Sequence, residues 1–128
     1  MRDFRELKVW AKAHELVLAT YAATGIFPPS ELFGLTAQMR RSCASIATNI
    51  AEGCGRDSEA ELRRYLSIAG GSASELEYQL LLARDLGYLR CDKHDLLTGE
   101  VIQIKRMLTR FIQTVGRPIR TRQPTADG

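Results

Sequence analysis

The most regular hydrophobic pattern in the chain runs from Gly34 to Arg56 and predicts a long helix. Its apolar residues recur at steps of three and four, the spacing of a buried helical face. These residues are Leu35, Met39, Cys43, Ile46 and Ile50. A wholly polar stripe runs beside them and consists of Gln38, Ser42, Ser45, Asn49, Glu52 and Arg56. Because residues 42–51 carry no charge, we expect this helix to be covered on more than one side.

Two further amphipathic patterns flank this helix. The first predicts a helix over about 7–24, whose apolar face is formed by Leu7, Trp10, His14, Val17, Leu18 and Tyr21. The second predicts a helix over about 58–86, whose buried face is formed by Leu62, Tyr65, Ala69, Ala73, Leu76, Leu80 and Ala83. Ser58 and Glu61 fit a capping box at the start of this third helix.

The middle of the third helix, residues 65–74, is also free of charge. In a hairpin with the second helix the two uncharged segments would lie side by side, so we expect water to be excluded from both. Gly70 and Gly71 each cost about 1 kcal/mol relative to Ala inside a helix, a cost usually accepted where backbones approach closely. We therefore predict that this glycine pair packs against small residues of the second helix, namely Ala44, Ala47 and Ala51.

A fourth helix is predicted from about Asp92, which would cap it. Its apolar residues repeat at alternating steps of four and three, and they are Leu97, Val101, Ile104, Leu108, Phe111 and Val115. Four helices with short links and no strand pattern predict an all-α fold, an up-down-up-down antiparallel four-helix bundle over residues 1–116. Residues 117–128 have neither period nor core residues and are predicted to be a basic flexible C-terminal tail.

Length and composition are those of one soluble globular domain. The 128 residues are 45% hydrophobic and 26% charged, which is ordinary for such a domain. No apolar run is long enough for a membrane span and no signal peptide opens the chain, so we expect a cytoplasmic protein. The three cysteines include no C-x-x-C pair and are predicted to be reduced thiols.

Charge is distributed unevenly along the chain. Residues 101–128 carry a formal charge of +5, whereas the first hundred carry −2. The cations of this basic stripe are Lys105, Arg106, Arg110, Arg117, Arg120 and Arg122. They predict either contact with nucleic-acid phosphates or a merely solvated basic face. No aromatic residue alternates with them, so base stacking is not indicated.

A second candidate site is a set of polar residues on the second and third helices. Helical spacing brings Asn49, Glu52, Ser72, Glu75 and Gln79 toward the shared face of the hairpin, with Arg40, Arg41 and Arg56 nearby. The favoured interpretation is a hydrogen-bond network that fixes the register between helices or subunits, because an unpaired buried polar group costs about 1–3 kcal/mol. A pocket for a small ligand or a hydrolytic site is the alternative. The arginines near the hairpin are expected to pair with interleaved carboxylates.

Catalytic and metal-binding patterns are weak. A di-iron bundle needs Glu-x-x-His motifs, which the chain lacks, and Cys91 with His94 supplies only two of the four ligands of a structural zinc site. His14 stands without a nucleophile at a defined spacing, so we expect a core histidine held by a hydrogen bond. The chain is therefore predicted to be non-enzymatic and to need no metal or cofactor.

Several motifs resemble the four-helix bundle family named after proteins encoded in intervening sequences of bacterial 23S ribosomal RNA genes. The matching segments are LKVWAKAHELV at 7–17, FPPSELFGL at 27–35, QMRRSCASIATNIAEGCGR at 38–56, AGGSASELEYQL at 69–80 and DLGYL at 85–89. The resemblance spans roughly residues 4–115. It implies a four-helix bundle that assembles as a ring-shaped homo-oligomer, a pentamer. The accessory proteins of diversity-generating retroelements are similar in fold, and that similarity implies nucleic-acid binding by basic surfaces of the ring.

Three functions follow as hypotheses. The first is a homo-oligomeric adaptor that binds RNA or DNA through backbone phosphates. The second is a scaffold whose partner is another protein. The third is an enzyme or small-ligand carrier that acts at Asn49, Glu52 and Glu75 in the polar pocket between the second and third helices.

Overall fold

The computed structural model describes residues 1–116, which contain four helices. They are α1 (Lys8–Thr24), α2 (Leu35–Cys54), α3 (Glu59–Asp85) and α4 (Cys91–Thr114), with short 3-10 turns at Phe4–Glu6 and Pro29–Glu31. This part of the chain has no strand, and none of its helices is both long and apolar enough to cross a membrane. The all-α prediction is thus confirmed for residues 1–116, whereas the predicted basic tail lies outside the described residues.

The four helices close into a bundle around one core. α2 packs against α1 and α3, and α4 packs against α3 and α1. The predicted face of α2 is confirmed, because Met39, Cys43, Ile46 and Ile50 are fully buried and Leu35 is nearly so. The predicted faces of α3 and α4 also lie in the core, except that Tyr65 and Phe111 are only half-buried.

The predicted face of α1 is wrong by about one residue. Its buried residues are Val9, Ala13, Leu16, Thr20 and Thr24. Leu18 and Tyr21 are instead 59% and 45% exposed, and the exposed His14 ring stacks on Trp10 with 5.1 Å between centroids. The spacing of apolar residues predicted the wrong face of α1 because two of the buried positions, Thr20 and Thr24, are polar. The Thr24 hydroxyl donates to the Thr20 carbonyl at 2.8 Å, so its polarity is satisfied within the helix.

The glycines of α3 do not have the predicted role. A Cβ built on Gly70 or Gly71 would meet no atom within 4 Å, so neither glycine packs closely against α2. Close approach occurs instead at Gly53 of α2, where a Cβ would lie 2.9 Å from Tyr65 Cβ and 3.1 Å from Leu62 Cδ1. Near their connecting turn, α2 and α3 therefore pack without room for a side chain at position 53.

The expected exclusion of water from both uncharged segments is also only partly right. On α2, Ser42 is buried and both Ser45 and Asn49 are half-buried, which agrees with cover on two sides. On α3, Ser67, Ile68, Gly71 and Ser74 are exposed in the single chain. Within residues 67–74, α3 thus carries an outward face that has no charge and that no other part of residues 1–116 covers.

Side chains cap the helices in ways the sequence predicted only in part. Ser58 Oγ accepts from the Glu61 amide at 3.1 Å, as predicted, but the Glu61 carboxylate pairs with Arg64 instead of closing the capping box. α4 begins at Cys91, one residue before the predicted cap Asp92. α2 is capped from the preceding turn, where Glu31 Oε1 accepts from the Leu35 amide at 3.0 Å.

Replacement of Gly53 by Ala is expected to destabilise the fold despite the better helix propensity of Ala. Propensity favours Ala by about 1 kcal/mol, whereas the added methyl would press on Tyr65 Cβ and Leu62, an overpacking that costs about 1–3 kcal/mol. Gly99→Ala is the matched control, because a Cβ at this helical glycine meets nothing within 4 Å. Urea unfolding should show Gly99→Ala stabilised and Gly53→Ala destabilised. Equal stabilisation of both would contradict the close approach.

Glu31 should make stability depend on acid pH. The Leu35 amide, and after it the Tyr88 hydroxyl at 2.9 Å from Oε2, hold the pKa of Glu31 below its ordinary value of 4.5. A lowered folded-state pKa adds stability above the unfolded value, and that stability is lost as the pH falls through the folded value. Glu31→Ala should therefore lower the Tm at pH 7, and its deficit relative to the native chain should shrink below pH 4.5. A deficit that stays constant down to about pH 2.5, roughly two standard deviations below the mean pKa of Glu in proteins, would refute this.

Candidate functional site

An open basic groove lies along α4 where it meets α3. Its volume is about 420 Å³, and it is lined by Glu77 of α3 and by Ile102, Lys105, Arg106, Thr109, Arg110 and Gln113 of α4. Three of the six predicted basic residues therefore line one groove. Arg106 and Arg110 are four residues apart, so they project from the same side of the helix. The groove is lined by three cations and a single carboxylate, so its lining carries a net positive charge.

The three cations of the groove differ in their partners. Lys105 Nζ donates to Glu77 Oε1 at 2.9 Å, and both side chains are about one-third exposed. Arg106 and Arg110 are exposed, and neither has an acidic partner within 4.0 Å among residues 1–116. Lys105 is thus partly neutralised by α3, whereas the two arginines present their charge to solvent. The other predicted members, Arg117, Arg120 and Arg122, lie outside the described residues.

The predicted polar set does not form one pocket. One part of it is a seam between α2 and α3, where Ser45 Oγ and Ser72 Oγ lie 2.8 Å apart. Asn49 Nδ2 donates to the Ser45 carbonyl at 2.8 Å and to Ser45 Oγ at 2.9 Å. This seam is the kind of register-fixing network that the favoured interpretation predicted, although Ser45 is its centre and was not among the predicted site residues.

A second part of the set lies near the α2–α3 turn. Arg56 pairs with Glu52 at 2.8 Å and also donates to the Tyr65 hydroxyl at 2.8 Å, a bond that raises the pKa of the guanidinium. The Tyr65 ring also receives the guanidinium of Arg64 at 4.6 Å from its centroid. Arg56 and Arg64 thus pair with carboxylates, as predicted for interleaved charges, whereas Arg63 donates to the Val115 carbonyl at 3.2 Å.

The remaining members of the set lie apart. Arg40 faces α1, where its Nε donates to Thr24 Oγ1 at 2.9 Å and its guanidinium covers the Tyr21 ring. Arg41 and Glu75 are exposed. Gln79 is buried, and its Oε1 has no hydrogen-bond partner among the described residues. The geometry therefore offers no converging carboxylate, amide and hydroxyl for a hydrolytic reaction within residues 1–116.

The thiols and histidines do not line the basic groove. All three cysteines are free, and burial raises the pKa of Cys43 to about 11, so this thiol stays protonated at neutral pH. His94 is buried and contacts Asp95 and Thr98 within its own helix. Residues 1–116 contain no cluster of three or more His, Cys, Asp or Glu side chains that could hold a metal ion.

A second groove beside the basic one was not predicted. This apolar groove, with a volume of about 340 Å³, runs between the start of α1 and the end of α4. It is lined by Leu7, Lys8, Val9, Met107, Arg110, Phe111 and Thr114. The sequence pattern placed Phe111 in the core, but the helix end leaves the ring half-buried. Arg110 lines both grooves and joins them.

Comparison with known proteins places the chain in a family. Residues 5–110 match the sequence pattern of the 23S rRNA-intervening sequence proteins. A crystal structure from Bacteroides thetaiotaomicron, described as a protein of unknown function from the S23 ribosomal protein family, is 26% identical in sequence with a TM-score of 0.76. The match covers 83% of this chain and 96% of that one. None of the curated proteins compared with the chain matches it. Since the family's pattern spans most of its length, this chain is a member of the 23S rRNA-intervening sequence protein family.

Proposed function

We propose that this protein is a non-enzymatic, homo-oligomeric helical bundle that binds nucleic acid through backbone phosphates. The observation that carries the proposal is the exposed pair Arg106 and Arg110, which lines an open groove and lacks acidic partners among residues 1–116. Guanidinium groups suit phosphate because their planar fork of donors matches its oxygens. Arg56 and Arg64 near the hairpin turn, whose guanidinium groups pair with Glu52 and Glu61, do not offer this.

The groove supports phosphate contact better than readout of base pairs. Binding through phosphates needs positive charge along a surface, whereas readout of base edges needs an element that enters a duplex groove with several polar side chains. Besides its cations, the basic groove offers only Thr109 and Gln113 as uncharged polar groups. We therefore propose an affinity that depends strongly on salt and weakly on base sequence.

We further propose the up-down-up-down topology and assembly of copies into a ring, for which the family resemblance suggests five subunits. Two contacts support an antiparallel α2–α3 pair. Ser45 of α2 contacts Ser72 of α3, whereas Gly53, which comes later in α2, lies against Tyr65, which comes earlier in α3.

For the subunit contact we propose the outward face of α3. Its exposed residues repeat at steps of four and three, as in a helix–helix seam, and they are Ser67, Gly71, Ser74, Tyr78 and Leu81.

A second candidate function, a scaffold for another protein, is favoured by one observation. Large apolar side chains are exposed around the α1–α2 connection, where Phe33 is 92% exposed, Ile26 82% and Leu32 50%. Such residues supply the aromatic and aliphatic anchors of many protein interfaces. Binding of this kind would survive nuclease treatment and high salt, in contrast to phosphate binding.

Replacing Arg106 and Arg110 together by Gln should weaken binding to a labelled single-stranded oligonucleotide and flatten its salt dependence. Each lost phosphate contact reduces the slope of log affinity against log salt by about 0.7 for single strands, so two lost contacts reduce it by about 1.4. Fluorescence anisotropy between about 50 and 200 mM salt measures both quantities.

The matched control for this charge change is Arg41→Gln with Lys93→Gln. Both side chains are exposed and lie outside the basic groove, so the net charge falls equally without a change in the groove. The control should keep the native slope. The proposal is wrong if both double variants lose affinity equally, because the groove then contributes nothing beyond net charge.

Ser74→Arg should dissolve the proposed ring. Ser74 is exposed within one chain, so an arginine there leaves the core intact but introduces a charge into the proposed seam on α3. Native mass measurement should show the native chain as a multiple of the 14.3 kDa subunit and Ser74→Arg as the single subunit. Ala19→Arg, at an exposed position of α1, is the control and should assemble normally. An unchanged assembly mass for Ser74→Arg would place the interface elsewhere.

A further inference from the structure

The apolar groove beside the basic groove has the features of a base-binding site. Leu7 and Val9 form its α1 side, and Met107 and Phe111 form its α4 side. Its volume of about 340 Å³ falls within the range of small-ligand pockets, roughly 300–1,000 Å³. A flat aromatic ring in such a groove provides a surface on which a nucleobase can stack.

The charges around the apolar groove favour an anionic occupant. No carboxylate lines it, whereas Lys8 and Arg110 stand at its wall. The Arg2 guanidinium lies over the Phe111 ring at 5.5 Å from its centroid, and its charge is partly paired with Glu59 at 3.9 Å. For the amides of an apolar peptide the side chains of this lining offer only the Thr114 hydroxyl as an acceptor, whereas a nucleotide combines an apolar face with a negative phosphate.

The apolar groove is continuous with the basic groove, and this arrangement favours single-stranded over duplex nucleic acid. Arg110 lines both grooves, so a strand whose phosphates lie on Arg106 and Arg110 passes the mouth of the apolar groove. In a duplex the bases are stacked and paired, and presenting one would require unstacking energy. A single strand presents its bases freely. A charged groove that follows the backbone, next to an aromatic that stacks a base, is the general arrangement of single-strand binding sites.

We infer that the apolar groove holds a base of single-stranded nucleic acid, stacked on Phe111, while the neighbouring phosphates lie on Arg106 and Arg110. This inference rests on the proposed function and deepens it. Phosphate binding alone would not distinguish a duplex from a single strand. Base stacking on Phe111 gives the preference for single strands and requires no sequence readout.

The test compares two labelled oligomers with the same number of phosphates, a deoxythymidine 10-mer and its fully abasic analogue. Stacking of one base is expected to make the thymidine oligomer bind about 5- to 150-fold more tightly. Phe111→Leu retains an apolar side chain but loses the ring, so it should reduce this ratio toward one. It should leave the affinity for the abasic oligomer and the salt slope unchanged.

The control variant is Phe33→Leu, which removes a 92% exposed aromatic ring outside the groove and should preserve the ratio. Equal affinity of the native chain for both oligomers overturns the inference and leaves phosphate binding intact. If Phe111→Leu weakens binding of the thymidine oligomer and of the abasic oligomer equally, the inference is also overturned, because Phe111 then supports the structure and does not stack a base. If neither oligomer binds the native chain, the proposed function fails as well. The comparison on the native chain needs no variant and holds even if Phe111→Leu does not fold.

Discussion

The bundle depends on the close approach of α2 to α3 near their connecting turn. At Gly53 the space that a side chain would take is filled by Tyr65 Cβ and Leu62, so only glycine permits this distance. Farther from the turn, the Ser45 and Ser72 hydroxyls meet at 2.8 Å and fix the register. A slip of one residue would separate these half-buried hydroxyls and would place a Cβ against the neighbouring helix, and each change costs about 1–3 kcal/mol. The two contacts thus specify one arrangement where apolar packing alone would tolerate several.

The position of α3 determines where positive charge remains free. One side of α3 is occupied by α2, and another side receives α4, where Glu77 pairs with Lys105 at 2.9 Å. No second carboxylate of α3 lines the groove, so Arg106 and Arg110 keep their charge. Near the α2–α3 turn, by contrast, Arg56 and Arg64 pair with Glu52 and Glu61 and lie against the Tyr65 ring. The candidate site is therefore defined by two neighbouring arginines of one groove that have no carboxylate within 4.0 Å among residues 1–116.

Sequence patterns predicted the helices well and their contacts less well. The faces of α2 and α4 follow strict steps of three and four, and the structure buries them as predicted except for the half-buried Phe111. α1 has apolar residues around most of its circumference. The spacing of these residues therefore could not show that Thr20 and Thr24 face the core. Gly70 and Gly71 suggested close packing, but a glycine only permits such an approach, and the approach occurs at Gly53. Phe111 fits the apolar spacing of α4, so the sequence predicted it to lie in the core. Its ring borders a groove because the start of α1 lies beside it, and the sequence pattern does not show this position.

The two grooves and the outward face of α3 depend on each other in the proposed function. A subunit that offers Arg106, Arg110 and one stacked base makes few contacts, and non-specific binding through a few phosphates is weak at physiological salt, with Kd of about 10⁻⁴–10⁻⁶ M. Linking several identical sites makes each later contact intramolecular, which raises the overall affinity by about 10²–10⁴-fold without any new contact. On the outward face of α3, Gly71 and Ser74 have neither charge nor a bulky side chain. Burying these two residues against another copy costs little, because neither carries an ion that must lose its water. The uncharged face of α3 is thus what would allow the weak site on α4 to act.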